Sequence, residues 1–287
     1  MIIVKSIEQL SQNPFKPPFA LIPTMGNLHS GHINLLRLAI NKNFNPVVSI
    51  FVNPLQFGPN EDLKSYPRSL ERDLDVLKEN NCHGVFIPEQ EEILKNIEKL
   101  IAPISDKLCG KSRPGHFDGV VTIVNRLFEV IKPEACVFGA KDFQQQLIIK
   151  HLIKEKHRHI KFLSAPTQRD ENGLALSSRN NYLNESEKIE ASLIFKFLSG
   201  MSSELKLLSR VNQKNFLSEL KSIQEKYQKK IEEKGFEVDY LELLDPATLE
   251  RFEYNSNKML IAIAVFFKGV RLIAVSYTHL RAHETRS

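Results

Sequence analysis

Short apolar runs alternate with amphipathic stretches over the first 168 residues of this chain. The runs have the length of buried strands, and the stretches between them carry apolar residues at helical spacings of three and four. Buried strands that alternate with helices are typical of a parallel sheet covered by helices on both faces, and thus of the α/β class. The predicted strands are 19–22, 47–52, 84–87, 135–138 and 162–165, and the predicted helices are 33–43, 69–80, 120–131 and 143–154.

The pattern changes after about residue 180. Asn184 followed by Glu187 is typical of a capping box, and predicts a helix that runs to about residue 198. Alternating residues at 236–240 and apolar runs at 259–267 and 270–275 predict strands, the last two joined as a hairpin. We therefore expect a first domain over residues 1–175 and a smaller α+β domain over residues 176–275. A second helix is predicted from one apolar face made of Phe216, Leu220, Ile223, Tyr227 and Ile231. Gly235 lies where this helix is expected to end.

The remaining twelve residues, 276–287, are polar and show no periodicity, so we expect a disordered or foreign tail. Elsewhere, no apolar run reaches the ~20 residues that cross a bilayer, and the N-terminus lacks the order of a secretory signal. The three cysteines, Cys82, Cys109 and Cys136, lie far apart without a C-x-x-C pair, which predicts buried thiols. These features favour a cytoplasmic protein.

Ligands of parallel sheets bind at the carboxyl ends of the strands, so the loops there are candidate sites. The loop PTMGNLHSGH, residues 23–32, joins a predicted strand to a helix. A helix N-terminus favours phosphate, and Gly26 and Gly31 permit a close approach of the backbone. His29 and His32 lie three residues apart, so both imidazoles can donate hydrogen bonds to one anion. We interpret this loop as a phosphate site rather than as a turn with a capping histidine.

Three other loops carry polar side chains that suit the same site. Gln56 follows a predicted strand, and its amide can hold a carboxylate and a hydroxyl together. Lys141 follows a later strand and is a point charge suited to phosphate, and Gln145 lies one turn further on. The Ser-Ser-Arg segment at 177–179 suits a triphosphate. Taken alone, each loop is also compatible with a polar turn, a capped helix or a linker.

Together these loops form a phosphate-binding set without an evident serine or cysteine nucleophile. The economical chemistry is direct attack of a substrate oxygen on the α-phosphate of a nucleotide, which needs positioning and charge neutralisation. Motifs of other enzyme classes are absent. A P-loop would need glycine where Ser105 stands. The G-x-S-x-G motif of α/β-hydrolases and the G-x-G-x-x-G motif of dinucleotide-binding domains do not occur. Arg113 and His116 either line the site or form a turn.

Six strings of the chain, taken in order, resemble the pantoate–β-alanine ligase family: PTMGNLHSGH, SIFVNPLQFG, YPR, RPGHF, GAKDFQQ and GLALSSRNNYL. That family belongs to the nucleotidylyltransferase superfamily, whose members share the His-x-Gly-His (HxGH) turn. The resemblance runs from about residue 2 to residue 273. It implies an ATP-dependent ligase with a Rossmann-like domain and a smaller lid-like C-terminal domain, cytoplasmic and homodimeric.

The resemblance also implies a two-step reaction. The carboxylate of pantoate attacks ATP to give pantoyl adenylate and pyrophosphate, and the amine of β-alanine then releases pantothenate and AMP, with Mg²⁺ on the phosphates. His32, the matched proton donor, is implied to be catalytic with His29 and Lys141. Gln56 and Gln145 are implied to hold pantoate, and Gln56 also β-alanine. The implied ATP-binding residues are Met25, Gly26, Asn27, Leu28, His29, Ser30, Gly31, His32, Gly139, Ala140, Lys141, Asp142, Gln168 (mainly through its backbone), Leu176, Ser177, Ser178 and Arg179.

Three positions depart from the family pattern. Ala140 stands where a glutamate is usual, and we expect little loss because Lys141 and Asp142 are kept. Asp118 stands where a basic or small residue is usual, and we expect an altered edge of the site. After residue 273 the chain continues with Ala-Val in place of Asp-Asn, and we interpret this end as a cloning or sequence-assembly scar.

Two other functions remain open. One is a different adenylyl- or cytidylyltransferase of the superfamily, against which Gln56 and Gln145 argue because they suit a small hydroxy acid. The other is an RNA-binding module that uses the net charge of +5. Such a module needs basic residues clustered with exposed aromatics, whereas the lysines here are mixed with acidic residues and tryptophan is absent. We therefore expect small-molecule substrates, with no nucleic acid and no membrane as partner.

Overall fold

The computed structural model describes residues 1–208, 213–254 and 256–279. They form two compact units. Met1–Gln168 with Leu176–Ser178 make up the first, and Arg169–Ala175 with the described residues from Arg179 onward make up the second. The boundary that we predicted at residues 175 and 176 lies within this connecting stretch, and the division into a catalytic domain and a lid stays a prediction.

A six-stranded parallel sheet forms the centre of the first unit. Its strands are β1 (Ile2–Val4), β2 (Phe19–Thr24), β3 (Asn45–Ile50), β4 (Gly84–Phe86), β5 (Ala135–Gly139) and β6 (Lys161–Ala165). Their order across the sheet is β1-β4-β3-β2-β5-β6, and every neighbouring pair is parallel. The predicted α/β class is therefore confirmed. The sequence analysis did not predict β1, an edge strand in which two of the three residues are exposed, whereas β4 has the same length but is fully buried.

The helices of the first unit include all four that we predicted. They are α1 (Ile7–Ser11), α2 (Ser30–Asn41), α3 (Leu70–Glu79), α4 (Gln90–Leu94), α5 (Leu108–Ser112), α6 (His116–Ile131) and α7 (Phe143–Lys156). Apolar residues of α2 and α3 pack with those of the strands in one core cluster, which includes Ile22, Leu36, Val48, Leu77 and Val85. This packing fixes where α2 and α3 begin relative to the sheet.

Strand β2 has β3 on one side and β5 on the other. Because parallel strands end at the same edge of a sheet, the loops that follow β2, β3 and β5 leave from one edge. These are three of the loops in which the sequence predicted functional residues.

The second unit packs helices α8 (Glu185–Ala191), α9 (Leu193–Leu207) and α10 (Gln213–Glu232) with strands β7 (Glu237–Leu244), β8 (Lys258–Phe267) and β9 (Val270–His279). The three strands are antiparallel in the order β7-β8-β9. The five residues of the predicted apolar face of α10 are all buried in this core. Lys268 and Gly269 both have positive φ, as the predicted two-residue hairpin turn requires.

Two predictions for this unit need correction. The capping box of Asn184 and Glu187 is present, but the helix that follows does not run on to residue 198. It breaks at Ser192, whose hydroxyl donates to the carbonyl of Ile189 at 2.6 Å and competes with the regular helix bonds. A separate helix, α9, then continues to Leu207.

Disorder from residue 276 onward is also wrong for residues 276–279. These residues pair with β8 as far as His279 opposite Lys258, and Thr278 is 1% exposed. Backbone pairing does not require an apolar sequence, so a polar segment completes the strand. The foreign origin of this end stays a prediction, and residues 280–287 lie outside the described residues.

The three cysteines are buried free thiols, as predicted. Burial raises the pKa of Cys82 to about 12 and raises that of Cys136 further above its ordinary range. In the described part of the chain, no helix combines the length and the apolar character needed to cross a membrane.

Candidate active site

His29 and His32 cap helix α2 reciprocally. The Nδ1 atom of His29 accepts from the backbone N–H of Gly31 at 3.1 Å, and the Nδ1 atom of His32 accepts from the backbone N–H of His29 at 3.3 Å. A neutral imidazole whose Nδ1 accepts carries its proton on Nε2. Each ring therefore keeps one Nε2–H donor that capping does not use.

The two rings lie together, and Gly31 makes room for them. Their centroids are 4.1 Å apart. A Cβ atom at Gly31 would lie 2.8 Å from Cε1 of His29, so any larger residue there would displace this ring. The predicted placement of two imidazoles on one anion thus has a physical basis in the loop itself.

Both imidazoles are held neutral in the unliganded protein. Burial lowers the pKa of His29 to about 4, helped by the charge of Lys141 and opposed by Asp142. Burial also lowers the pKa of His32 to about 3, with contributions from His29 and Lys141. At neutral pH the pair therefore offers two uncharged N–H donors, and an arriving polyanion favours their protonation.

This depression of two histidine pKa values predicts a pH-dependent stability. Unfolded histidines have a pKa near 6.5, so the unfolded state binds more protons than the folded state from about pH 6.5 down to about pH 4 for His29 and about pH 3 for His32. The free energy of unfolding should fall as the pH falls through this window, and the pair should have no effect above about pH 7. Urea unfolding at about pH 7 and about pH 4 measures this change in the free energy of unfolding. The variant His29→Gln/His32→Gln should lose less stability than the wild type, and an equal loss would contradict the assignment.

Lys141 follows β5 and precedes α7. Its side chain is 18% exposed, and its Nζ lies 3.5 Å from Oδ1 of Asp142. The backbone N–H of Ala140 donates to the carbonyl of Ala165 at 2.8 Å, which ties this loop to the end of β6. The charge of Lys141 in this loop, which comprises residues 139–142, lowers the pKa values of both histidines.

The segment Leu176–Ser178 lies against the loop of the two histidines. The hydroxyl of Ser178 donates to the carbonyl of Asn27 at 3.3 Å, and the Cβ of Leu176 is 3.6 Å from where a Cβ of Gly31 would stand. The backbone carbonyl of Gln168 accepts from the N–H of Leu176 at 2.9 Å, which anchors the segment. The structure thus brings Leu176 and Ser178 to the loop of His29 and His32, and their predicted role in nucleotide binding stays a prediction. Arg179 belongs to the second unit, and its predicted role stays a prediction.

Gln56 ends a short 3₁₀ helix, Pro54–Gln56, after β3. Asn53 fixes its orientation, because Asn53 Oδ1 accepts from the N–H of Leu55 at 3.0 Å and Asn53 Nδ2 donates to the carbonyl of Gly119 at 3.0 Å. The same Nδ2 donates to Oε1 of Gln56 at 3.0 Å. The Nε2 group of Gln56 is thereby left as a donor for a ligand.

A buried network holds the backbone of Gln56 from its other side. His116 Nδ1 lies 2.8 Å from the carbonyl oxygen of Gln56, and Arg113 lies 2.9 Å from His116 Nε2. Because the guanidinium can only donate, His116 Nε2 accepts and its Nδ1–H donates. Arg113 also forms a bidentate pair with Glu61 at 2.7 and 2.6 Å. Burial raises the pKa of Glu61, but the hydrogen bonds and charge of Arg113 outweigh burial and hold the pKa below its usual value.

Helix packing singles out Gln145 from three successive glutamines. Gln144 is buried and donates to the carbonyls of Ile104 and Lys107, and Gln146 is buried and donates to the carbonyl of Phe138. Gln145 is half-buried and makes no side-chain hydrogen bond to another described residue. Of the three glutamine amides, that of Gln145 is therefore the one available to a ligand, and its binding of pantoate stays a prediction.

Sequence reasoning missed Asp73, Asn53 and Glu61. Asp73 on α3 accepts the backbone N–H groups of Asn27 and Leu28. No motif of the sequence indicates these pairings, since the partners lie 46 and 45 residues away. Asp118, which departs from the family pattern, accepts a hydrogen bond through its Oδ1 from the backbone N–H of Ala102 at 2.8 Å.

The chain is similar to known proteins along nearly its whole length. A family model described as pantoate-beta-alanine ligase matches residues 3–276. The pantothenate synthetase of Thermosipho melanesiensis is 39% identical over 283 residues, which cover 95% of this chain and 98% of that protein. The pantothenate synthetase of Carboxydothermus hydrogenoformans is 42% identical over 256 residues, which cover 88% of each.

Solved structures show the same relation. The pantothenate synthetase of Thermus thermophilus has a TM-score of 0.86 and 33% identity, covering 98% of this chain and 100% of that one. The pantoate-beta-alanine ligase of Francisella tularensis, complexed with beta-gamma ATP and beta-alanine, has a TM-score of 0.74 and 33% identity, covering 96% and 97%. With similarity along nearly its whole length in both sequence and fold, this chain belongs to the pantoate–β-alanine ligase family.

Proposed function

We propose that this enzyme condenses pantoate with β-alanine at the expense of ATP, giving pantothenate, AMP and pyrophosphate through a pantoyl adenylate. The observation that carries the proposal is the pair of Nε2–H donors of His29 and His32 beside the ammonium of Lys141. This arrangement suits the phosphates of a nucleotide, where charge builds as the α-phosphate is attacked.

In the first step, a carboxylate oxygen of pantoate attacks the α-phosphorus of ATP, and the bond to the bridging oxygen of the leaving pyrophosphate breaks. His32 and His29 hydrogen-bond the phosphate oxygens, and Lys141 neutralises the charge that develops on the leaving group. Gln56 and Gln145 hold pantoate through their free amides. In the second step, the β-alanine amine attacks the acyl carbon, the carbon–oxygen bond to AMP breaks, and the amine loses its proton.

A Mg²⁺ ion carried mainly by the nucleotide fits these residues. Mg²⁺ commonly binds through one or two carboxylates together with substrate phosphates. Asp142, whose side chain is 47% exposed next to Lys141, is the carboxylate of this loop that can reach such an ion. Among the described residues, no group of three or more His, Cys, Asp or Glu side chains is arranged to hold a metal. When bound, the ion would screen the phosphate charges.

We also propose a cytoplasmic location and a homodimeric assembly. The three buried free thiols suit a reducing compartment. The dimer rests on the resemblance to the family, and light scattering of the purified chain measures it.

Loss of the Gln56 amide should weaken the binding of pantoate more than the binding of ATP. Gln56→Ala removes a donor to a carboxylate, a hydrogen bond whose loss costs about 10- to 100-fold in binding. We expect the KM of pantoate to rise by this factor and the KM of ATP to change little. Gln90→Ala, at an exposed glutamine, is the control. A raised KM for ATP with an unchanged KM for pantoate would mean that the two pockets are reversed.

Pyrophosphate–ATP exchange with β-alanine absent tests the first step. If pantoate forms an adenylate reversibly, labelled pyrophosphate enters ATP only when pantoate is present. No exchange in folded protein that binds ATP would favour a sibling transferase with another acceptor.

A further inference from the structure

We propose that Asp73 is a positioning residue for the nucleotide. Its carboxylate fills an anion-binding nest, a concavity of backbone N–H groups, in the loop of residues 23–32. The phosphates are thereby confined to His29, His32 and Lys141. The inference rests on the proposed function and deepens it. It concerns a residue that no motif of the sequence indicates.

Asp73 is a buried carboxylate aimed at backbone amides. It is 1% exposed. Its Oδ2 accepts from the N–H of Asn27 at 2.8 Å, and its Oδ1 accepts from the N–H of Leu28 at 2.7 Å and from the hydroxyl of Ser69 at 3.1 Å. Three donors therefore satisfy both oxygens, and none of them is a cation.

The backbone of the loop is shaped to receive an anion at this place. Gly26 and Asn27 have φ values of +81° and +51°, both in the left-handed region. Successive amides in such a turn form an anion-binding concavity, which in many nucleotide-binding loops holds a phosphate. Here a carboxylate of the protein already occupies it. A Cβ at Gly26 would lie 3.0 Å from Oδ2 of Asp73, so glycine is needed for this approach as well as for its φ.

The occupied nest has two consequences for the site. The N–H groups of Asn27 and Leu28 are no longer available to phosphate, so the donors that remain on this loop include the two imidazole Nε2–H groups and the side-chain amide of Asn27. The negative charge of Asp73 also repels phosphates from the glycine turn. Both effects direct the polyanion to one register, along the histidines and Lys141, in which the α-phosphate meets the pantoate oxygen.

The variant Asp73→Asn separates positioning from folding. Its side chain has the same shape, but it keeps one acceptor and turns an NH₂ group towards the second amide. We expect kcat for pantoate-dependent exchange to fall by about 10- to 100-fold, the scale of a small misplacement of reacting groups. The KM of ATP should stay within about threefold of the wild type, because the phosphates still bind but in more than one register. Asp75→Asn removes the same charge from an exposed position of α3 and should leave both constants unchanged.

A second readout does not depend on activity. Hydrogen exchange of the Asn27 and Leu28 amides in the unliganded protein should be slow in the wild type and in Asp75→Asn, and faster in Asp73→Ala and Asp73→Asn. If Asp73→Ala does not fold, amide exchange in Asp73→Asn alone tests the inference.

Three results would overturn the inference: a kcat of Asp73→Asn within twofold of the wild type, a raised KM of ATP with unchanged kcat, or unchanged amide exchange. Wild-type protein without pantoate-dependent exchange would instead contradict the proposed function. In that case the amide exchange still reports whether Asp73 holds the loop.

Discussion

Replacing His32 with alanine should lower pantoate-dependent pyrophosphate–ATP exchange by about 10²–10³, the cost of losing one donor to a developing phosphate charge. His32 is the inner of the two rings, and its Nε2–H is fixed as a donor because its Nδ1 accepts the N–H of His29. The variant also loses the return bond of the capping box, so its thermal unfolding is measured alongside.

His32→Gln provides the informative comparison, since a glutamine amide can supply a neutral donor from a nearby position. We expect it to recover part of the loss, as the depressed histidine pKa implies that an uncharged donor operates when ATP arrives. His151→Ala, at an exposed histidine of α7, controls for histidine removal as such. Full exchange activity in folded His32→Ala would contradict the assignment of this loop to the phosphates.

Replacing Lys141 with alanine has an effect of the same size, about 10²–10³ in exchange rate, because it removes the cation that the loop after β5 offers to the phosphates. The Lys141 charge also helps to hold both histidine pKa values down. The variant should therefore raise the pKa of His29 and of His32, which a histidine NMR titration of the unliganded protein measures.

The control for this second prediction is Lys154→Ala, which removes an exposed lysine of α7. Lys141→Arg keeps the charge in a different shape and should retain more activity than Lys141→Ala. Unchanged exchange in Lys141→Ala, together with unchanged histidine titration, would show that the ammonium does not act on the phosphates or on the imidazoles.

The parts of the site that sequence reasoning found are those in which chemistry and local structure lie in one string. His29 and His32 share a strand-to-helix loop with the glycine that makes room for them, so the spacing alone predicts their common target. The alternation of apolar runs likewise predicts five of the six strands of the parallel sheet, β2 to β6. Local patterns of this kind suffice because the spacing of apolar residues along a segment indicates its secondary structure and its buried face, whichever distant segment it packs against.

The parts that it missed depend on contacts between distant segments. Asp73 looks like any acidic residue of an amphipathic helix, and only folding reveals that it meets the amides of Asn27 and Leu28. The network of Glu61, Arg113 and His116 behind Gln56 is of the same kind, since sequence reasoning left Arg113 and His116 undecided between the site and a turn.

Two predictions for the second unit were wrong because an interaction that the sequence pattern does not show decides the local structure. The helix after Asn184 was predicted to continue, but the hydroxyl of Ser192 takes up a backbone carbonyl and ends it. The polarity of residues 276–279 predicts a disordered or foreign tail, yet these residues pair with β8 through their backbone, which side-chain polarity does not describe. The first error overlooks a side chain that competes for a backbone carbonyl, and the second judges a segment by its side chains although main-chain bonds decide its structure.

The central claim is that a carboxylate oxygen of pantoate attacks the α-phosphorus of ATP. Pantoate labelled with ¹⁸O in its carboxylate tests it most directly in the complete reaction with ATP and β-alanine. If the adenylate forms, one labelled oxygen leaves with the phosphate of AMP and the other stays in the amide of pantothenate, and the isotope shift of AMP in ³¹P NMR reports it. Label in pyrophosphate, or unlabelled AMP from fully labelled pantoate, would contradict the account.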